Sequence, residues 1–349
     1  MAALYDGGIN SVRTQLLRAT GQQSNSVTDL LEDHDIRRTT AAIDTYINRY
    51  LDTDVGQPQE LYDAAHHLIR AGGKRLRSLI TVLTCELVGG SPEKALPVAL
   101  AAELLQTASL IHDDIIDNER TRRGVPAVHR VFGVKMAIIA GDLLISQAVR
   151  ILGEQGNPEL LAIMGGNGAR MCEGEAADMS VSPDRPEAFK KKQYLELVEK
   201  KTVSFLEESA RMGAVVGGAT ESQKRALTEY ARALGFAFQL RDDLLDIDSS
   251  MRTRTGRSRS SLELKRGNYV LIQALEMLTQ EERAACLISL AEGRTGPAMR
   301  AIKATNAAEL VQEAARDYVE QAKRALSGQP PEYIRLLGKL ADFALVREQ

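Results

Sequence analysis

The stretch 109–117 consists of Ser-Leu-Ile-His-Asp-Asp-Ile-Ile-Asp and places three aspartates directly after an apolar run. On an α-helix, positions i and i+4 lie on one face, so Asp113 and Asp117 point the same way while Asp114 points aside. Two carboxylates one turn apart repel each other unless a cation lies between them. Mg²⁺ suits such a pair because it binds through one or two carboxylates together with substrate phosphates. A solvated acidic helix end is the alternative interpretation.

The same spacing recurs at Asp242, Asp243 and Asp246, again after an apolar run, Phe-Ala-Phe-Gln-Leu at 236–240. Two such copies in 349 residues are improbable by chance. Two carboxylate clusters facing each other across a cavity would hold several Mg²⁺ ions, and their negative charge requires cations and a polyanion. The repeated motif thus predicts a site where Mg²⁺ and a diphosphate bind together.

The composition favours helices throughout. Hydrophobic residues make up 44% of the chain, aromatic residues only 4%, and prolines number 10. Alternating runs of β-branched residues, which are typical of strands, are rare. Glycine and proline breaks separate about ten to twelve segments with helical spacing of apolar residues. We predict an all-α protein in which residues 1–37 form an N-terminal extension and residues 38–349 form one domain.

Charge and cysteine content argue against several other classes of protein. The net charge of −3 gives no basic field for nucleic acid. The three cysteines have neither metal-site nor disulfide spacing, which fits a reducing cytosol. The N-terminus lacks the pattern of a signal peptide, and the apolar run 96–105 is interrupted by Glu103 and is too short for a membrane span. We expect a cytoplasmic protein without a membrane span, which is still compatible with an apolar substrate.

Two basic segments could bind phosphate. The segment 72–77, Gly-Gly-Lys-Arg-Leu-Arg, puts Lys74 and Arg77 on one helix face, where lysine offers a point charge and arginine a two-pronged donor. The segment 120–123, Arg-Thr-Arg-Arg, follows Asp117 by about one turn and would bring arginines to the rim of the carboxylate site. A solvated basic helix end and local charge balance are the respective alternatives.

Three other polar positions remain open from the residues alone. Lys201 lies in an otherwise amphipathic helix, where a surface lysine is the favoured interpretation. The segment 172–178 contains Glu175 and Asp178, which either support a site or form a polar helix face. His112 lies on an apolar stretch, so a packed histidine is favoured over a ligand or a base.

Taken in order, these motifs resemble the trans-isoprenyl diphosphate synthases of the polyprenyl synthetase family. The resemblance runs from about residue 40 to the end of the chain and rests on the segment 72–77, Asp113–Asp117 followed by 122–124, Gly141-Asp142, Lys201-Thr202, and Phe238-Gln239 before Asp242–Asp246. It implies a single-domain isoprenoid synthase fold with helices around a central cavity, and a homodimer. It also implies head-to-tail condensation of isopentenyl diphosphate onto an allylic diphosphate, with three Mg²⁺ ions per active site.

The resemblance also assigns roles to individual residues. The direct metal ligands would be Asp113, Asp117 and Asp242. The isopentenyl diphosphate pocket would contain Lys74, Arg77, Gln106 and Arg123. The allylic diphosphate would contact Arg122 and Lys201, and the polar groups near the developing carbocation would be Thr202 and Gln239.

The chain departs from the family pattern at two places. Ser78 stands where the family usually has proline after the basic helix start. After the second aspartate cluster the family usually has Gly-Lys and a later lysine, whereas this chain has Gly256-Arg257 and Asn268. We expect Arg257 to contribute to binding the allylic diphosphate and to closing the loop over it.

The residues before Asp113 bear on the length of the product. In the family, short-chain farnesyl synthases often place an aromatic residue four or five positions before the first aspartate, where it stops the growing chain. This chain has the small residues Ser109 and Ala108 there, and Leu105, about 12 Å from Asp113 along the helix axis, is the first sizeable obstacle. We predict a linear all-trans product of C20 or longer, that is, geranylgeranyl diphosphate or a longer chain. The alternative is that the small residues only allow close helix packing.

Two functions other than that of a prenyl diphosphate synthase are compatible with part of the sequence. A class I terpene cyclase also uses an aspartate cluster and Mg²⁺, but typically carries an Asn/Ser/Glu-type second metal site and lacks a second diphosphate pocket like that suggested by Lys74 and Arg77. A catalytically weak partner subunit of a heteromeric synthase is suggested by the altered loop after Asp246. The two intact aspartate clusters argue against this second alternative.

Overall fold

The computed structural model describes residues 33–183, 190–247, 260–264 and 267–346, which are almost entirely α-helical. The helices are α1 (His34–Thr53), α2 (Gln59–Arg70), α3 (Leu76–Leu87), α4 (Pro92–Ile116), α5 (Val128–Val131), α6 (Val134–Glu154), α7 (Pro158–Met179), α8 (Lys191–Val198), α9 (Ser204–Gly217), α10 (Glu221–Ile247), α11 (Tyr269–Glu276), α12 (Gln280–Ala291), α13 (Gly296–Ala304), α14 (Ala307–Ala325) and α15 (Pro331–Val346). A π-helical segment, Glu199–Val203, joins α8 to α9. The predicted all-α class is confirmed.

The structure differs from the sequence prediction in detail. Within the described ranges there are fifteen α-helices rather than ten to twelve, because α5 has only four residues and the segment 269–346 divides into five helices. A minimal antiparallel hairpin, β1 (Thr121–Arg122) and β2 (Val125–Pro126), was not predicted. Its two central residues, Arg123 and Gly124, both have positive φ, of 53° and 78°, as a tight two-residue hairpin requires. The hairpin reverses the chain just after the first aspartate cluster.

Two hydrophobic clusters form the core, and α10 contributes to both. The larger cluster joins α1–α7, α9, α10, α14 and α15 and includes Leu83, Leu104, Ile111 and Tyr230. The smaller joins α8 and α10–α14 and includes Phe236, Leu271 and Val311. Because side chains along α10 are buried in both clusters, the end of α10 that carries the second aspartate cluster is held by much of the fold.

The N-terminal boundary of the domain lies close to a contact with the last helix. Asp33 caps the N-terminus of α1 and pairs with Arg335 and, at 2.7 Å, with Lys339 on α15. Although burial opposes ionisation, these cations and the backbone N–H of Ile36 lower the pKa of Asp33 to about 2. The helix thus begins before residue 38, and the division into 1–37 and 38–349 stays a prediction. Residues 1–32 lie outside the described part of the chain.

Helices α4 and α6 are long and apolar enough to cross a membrane by length and composition alone. The most apolar stretch of α4 is 61% buried inside the fold and that of α6 is 44% buried. The expectation that the chain has no membrane span therefore stays a prediction. The less buried α6 displays large exposed apolar side chains, namely Val134, Ile138, Ile139, Ile145 and Val149.

Candidate active site

The first aspartate cluster lies at the C-terminal end of α4. Asp114 is fully buried and accepts hydrogen bonds from Nε of Arg122 at 2.8 Å and from Nη2 at 2.5 Å. Asp113 is half-buried, and burial is the main reason why its pKa rises to about 6. The positive charge of Lys201 opposes this rise, while the negative charges of Glu175 and Asp117 add to it. The C-terminus of a helix is its negative end, so carboxylates gathered there favour the binding of cations.

The second cluster lies in the last turn of α10. Asp243 is buried and accepts hydrogen bonds from the Tyr194 hydroxyl at 2.5 Å, the Tyr269 backbone N–H at 2.8 Å and Nε2 of Gln239 at 2.9 Å. Burial raises the pKa of Asp243 to about 7, although these three donors oppose the rise. Asp246 accepts a hydrogen bond from the backbone N–H of Ser261 at 3.0 Å.

The π-helical segment lies between the two clusters. Nζ of Lys201 lies 2.5 Å from Glu175 and 2.8 Å from Asp178, both on α7. Burial opposes its charge, yet Asp178, Asp113 and Glu175 together raise the pKa of Lys201. The hydroxyl of Thr202 donates to Oε1 of Gln239 on α10 at 3.0 Å. Lys201 is thus a half-buried cation paired with two carboxylates, and interpreting it as a surface lysine was wrong.

Three of the predicted isopentenyl diphosphate residues, Lys74, Arg77 and Arg123, lie around the start of α3. Lys74 precedes this helix, so the prediction that it shares a helix face with Arg77 was wrong. The Lys74 ammonium lies 5.8 Å from the ring centre of Phe238 and 5.7 Å from that of Phe343. The Arg77 guanidinium lies 4.5 Å above the Phe205 ring. Arg123 packs against Gly73 so closely that a Cβ there would lie 3.2 Å from the guanidinium carbon.

The electrostatics of Arg77 connect this pocket to the second cluster. Burial lowers the pKa of Arg77 to about 10, while Glu103, Glu208 and Asp242 act to raise it. Arg123, by its like charge, lowers it further. Asp242 is therefore close enough to Arg77 to stabilise its charge.

A buried ion pair, which sequence reasoning missed, holds the basic loop. Arg75 has a left-handed backbone (φ 51°) and donates to Asp44 at 2.9 Å and to Glu103 at 3.1 Å. The Ser78 hydroxyl donates to the other Glu103 oxygen at 3.0 Å. At the position where the family usually has proline, this serine thus helps to hold the ion pair. A lone acid inside an apolar helix needs a cation partner, and that rule could have identified Glu103.

The positions expected to set chain length differ in their surroundings. Ala108 is 1% exposed and belongs to the packed core. Leu105 and Ser109 are half-buried and lie two turns and one turn before Asp113 on the same helix face. Gln106 is also half-buried, and its Oε1 is buried without a hydrogen-bond partner. Leu105 and Ser109, rather than Ala108, therefore continue the stripe that leads to Asp113.

The altered segment after the second cluster is described only in part. Arg257 lies outside the described residues. Asn268, at the position where the family usually has lysine, is a buried N-cap of α11 that accepts from the backbone N–H groups of Val270 and Leu271. Its side-chain amide also donates to the Asp243 carbonyl at 3.1 Å. An asparagine directly before an apolar run is a helix-start signal, which would have predicted this role.

The motif Gly141-Asp142 allows α4 and α6 to approach closely. A Cβ on Gly141 would lie 2.2 Å from Nε2 of His112, so only glycine leaves room for the imidazole. The same His112 nitrogen lies 3.2 Å from the Ile138 carbonyl. His112 is thus packed between two helices, as its apolar surroundings predicted.

The donor set of the two clusters fits Mg²⁺. It consists of carboxylate oxygens, which hard divalent cations prefer, and the raised pKa of Asp113 shows a carboxyl whose ionised form a cation would stabilise. Within the described ranges, no three His, Cys, Asp or Glu side chains are grouped as a complete metal site. Mg²⁺ usually keeps waters and phosphate oxygens in its shell.

Comparisons with known proteins identify relatives of this chain. The family model for polyprenyl synthetase matches residues 58–308. A geranylgeranyl diphosphate synthase of Methanosarcina mazei is 35% identical over 90% of this chain and 97% of its own length. A short chain isoprenyl diphosphate synthase of Methanothermobacter thermautotrophicus is 36% identical over 83% and 91%.

A solved structure shares the fold. The polyprenyl synthase from Caulobacter crescentus, crystallised with calcium and isoprenyl diphosphate, superimposes with a TM-score of 0.81. The two chains are 28% identical, and the match covers 93% of this chain and 98% of the other. With the family model matching well over half of its length, the chain belongs to the polyprenyl synthetase family.

Proposed function

We propose that the protein is a prenyltransferase that condenses isopentenyl diphosphate head-to-tail with an allylic diphosphate. The product is a linear all-trans polyprenyl diphosphate of C20 or longer, and diphosphate is released. One observation carries the proposal: the charge of Lys201 interacts with that of Asp113 in the first cluster, and its neighbour Thr202 donates to Gln239, which in turn donates to Asp243 in the second cluster. The two acidic clusters and the catalytic polar residues thus belong to one site.

The allylic diphosphate binds between the clusters. Asp113, Asp117 and Asp242 hold the Mg²⁺ ions, three by resemblance to the family. Bound Mg²⁺ would stabilise the diphosphate as a leaving group. Arg122 and Lys201 add fixed positive charge where negative charge develops as the carbon–oxygen bond breaks.

The isopentenyl diphosphate binds at Lys74, Arg77, Gln106 and Arg123, beside the second cluster. Its double bond attacks the allylic carbon, with the Thr202 hydroxyl and the Gln239 amide as polar neighbours of the carbocation. A proton then leaves C2 of the former isopentenyl unit, and the released diphosphate accepts it. The apolar walls exclude water, which would otherwise trap the cation.

The exposed apolar face of α6 supports a homodimer. Its large side chains, Val134, Ile138, Ile145 and Val149, recur at helical spacing along one side. Contiguous exposed apolar residues of this kind mark interaction surfaces in proteins without a membrane span. A second copy of the chain in the cytoplasm is the occupant we propose.

The direct test is incubation with isopentenyl diphosphate, each allylic primer and Mg²⁺, followed by analysis of product length. We expect a linear product of at least C20 from dimethylallyl or farnesyl diphosphate. A product that stops at farnesyl diphosphate would contradict the chain-length proposal, and a cyclic hydrocarbon would indicate a terpene cyclase. Product formation only after addition of a second polypeptide would indicate a weak partner subunit.

A variant pair tests where the growing chain lies. Ser109→Phe should shorten the product by at least one isoprene unit, because the ring would enter the stripe between Leu105 and Asp113. Ala108→Phe should instead mainly lower stability, because overpacking a buried position typically costs about 1–3 kcal/mol. A shortened product from Ala108→Phe and not from Ser109→Phe would reverse this assignment.

A further inference from the structure

The π-helical segment Glu199–Val203 directs two adjacent side chains to two different helices. Lys201 pairs with Glu175 and Asp178 on α7, while Thr202 bonds to Gln239 on α10. Single π-turns inside helices are rare, and those that are found often lie at functional sites. The position of this segment between α7 and α10 therefore decides whether both side chains reach their partners.

Two glycines allow the π-helical segment to lie close to the backbones of α7 and α10. A Cβ on Gly174 of α7 would lie 2.7 Å from the backbone nitrogen of Lys201. A Cβ on Gly235 of α10 would lie 3.0 Å from the Cα of Val203. Both distances are shorter than ordinary van der Waals contacts of a Cβ, so the segment can lie at this distance from the two helices only beside glycine. A larger residue at either position would force the segment to shift, since the nearest atom that it meets is a backbone atom of the segment.

An ion network fixes the start of the same segment. Glu199 accepts from Arg232 of α10 at 2.7 Å and lies 3.7 Å from Arg170 of α7. Both arginines also contact Glu207, at 3.3 and 3.1 Å. Glu199 and Arg232 line an open groove of about 1300 Å³ between α8, α10 and α14, and none of the described metal or substrate residues lines it. Glu199 thus lies outside the proposed active site and is connected to it through the backbone of the segment.

We propose that Gly174, Gly235 and Glu199 are positioning residues that hold the π-helical segment at the depth where Lys201 and Thr202 act. The role assigned to Lys201 and Thr202 rests on the proposed function. The three positioning residues themselves touch no substrate. Their effect is to fix the backbone from which the lysine ammonium and the threonine hydroxyl project.

The test compares two glycines of the same helix. Gly174→Ala should lower kcat/KM for the allylic diphosphate about tenfold to a hundredfold, because a displacement near 1 Å can cost that much. The KM for isopentenyl diphosphate should stay within about twofold, since that pocket lies on other elements. Gly168→Ala is the matched control: a Cβ there meets nothing within 4 Å, so it carries the same gain in helix propensity without displacement.

A second variant covers the case in which Gly174→Ala does not fold. Glu199→Gln keeps the shape of a half-exposed side chain and removes only its charge. We expect kcat/KM for the allylic diphosphate to fall three- to tenfold, with an unchanged midpoint of thermal unfolding. Wild-type kinetics in every folded variant, Glu199→Gln included, would overturn the proposal.

A binding measurement separates this proposal from the proposed function. Calorimetric titration with inorganic diphosphate and Mg²⁺ requires no turnover. We expect weaker binding in Gly174→Ala and Glu199→Gln and wild-type binding in Gly168→Ala. If the wild type forms no prenyl product but this pattern holds, the proposed function fails and the positioning role stands. Equal binding in all variants would refute the positioning role alone.

Discussion

The two aspartate clusters share one spacing but not one environment. In the first, the buried middle residue Asp114 accepts both hydrogen bonds from a cation, Arg122. In the second, the buried Asp243 accepts from a hydroxyl, a backbone N–H and an amide, all neutral. The same sequence motif therefore supports two different structures.

The difference separates the tasks of the middle residues. Asp114 orients an arginine that we assign to the allylic diphosphate, so it acts on substrate binding. Asp243 ties the end of α10 to α8 through Tyr194 and to the start of α11 through Tyr269, so it acts on the scaffold. The first residues of the two clusters, Asp113 and Asp242, are equivalent in the proposed mechanism.

The largest expected effect tests that equivalence. Asp113→Asn and Asp242→Asn should each lower kcat/KM by about 10³-fold or more, because each removes part of a metal-held charge stabilisation of several kcal/mol. Steady-state kinetics at saturating Mg²⁺ measure the loss. Asp317→Asn, which changes an exposed aspartate of α14, is the control and should leave the rate unchanged. Near wild-type activity in only one of the two site variants would break the equivalence.

The middle residues should respond in opposite ways. Asp114→Asn loses charge-assisted bonds to Arg122 and should raise the KM for the allylic diphosphate about tenfold. Asp243→Asn places an NH₂ group against donors and should lower the free energy of unfolding by about 1–3 kcal/mol. Kinetics and urea unfolding of both variants give the comparison. Identical profiles would show that the two environments have no separate roles.

Much of this contrast could not be predicted from the sequence. The i, i+4 spacing of Asp113 and Asp117, repeated at Asp242 and Asp246, was enough to predict that each cluster lies on a helix, since it depends only on helix periodicity. The partners of Asp114 and Asp243 depend on a two-residue hairpin and on which helices pack together, and neither is encoded by local spacing. The proposed role of Gly174 could not be predicted from the sequence either, because it depends on the packing of the π-helical segment against α7.

A buried carboxylate outside both clusters provides a test of stability rather than of turnover. Glu208 is 2% exposed and bonded to Asn167, and burial raises its pKa from 4.5 to about 8, although Asn167 and Arg77 oppose the rise. Between these two values the folded state retains a proton that the unfolded state releases, so this group's contribution to stability is lost as pH rises through that window. Glu208→Gln should flatten the fall in urea midpoint between about pH 5 and pH 8. An unchanged slope would show that Glu208 ionises normally in the fold.

Joint binding of one metal-bound diphosphate by both clusters is the basis of the proposed function. Its most direct test is calorimetric titration of Mg²⁺ in the presence of an allylic thiolodiphosphate, which binds like the substrate but does not react. We predict tight, analogue-dependent binding of Mg²⁺ to the wild type and its loss in both Asp113→Asn and Asp242→Asn. Wild-type affinity and metal stoichiometry in Asp242→Asn would contradict the account, because the second cluster would then take no part in holding the diphosphate.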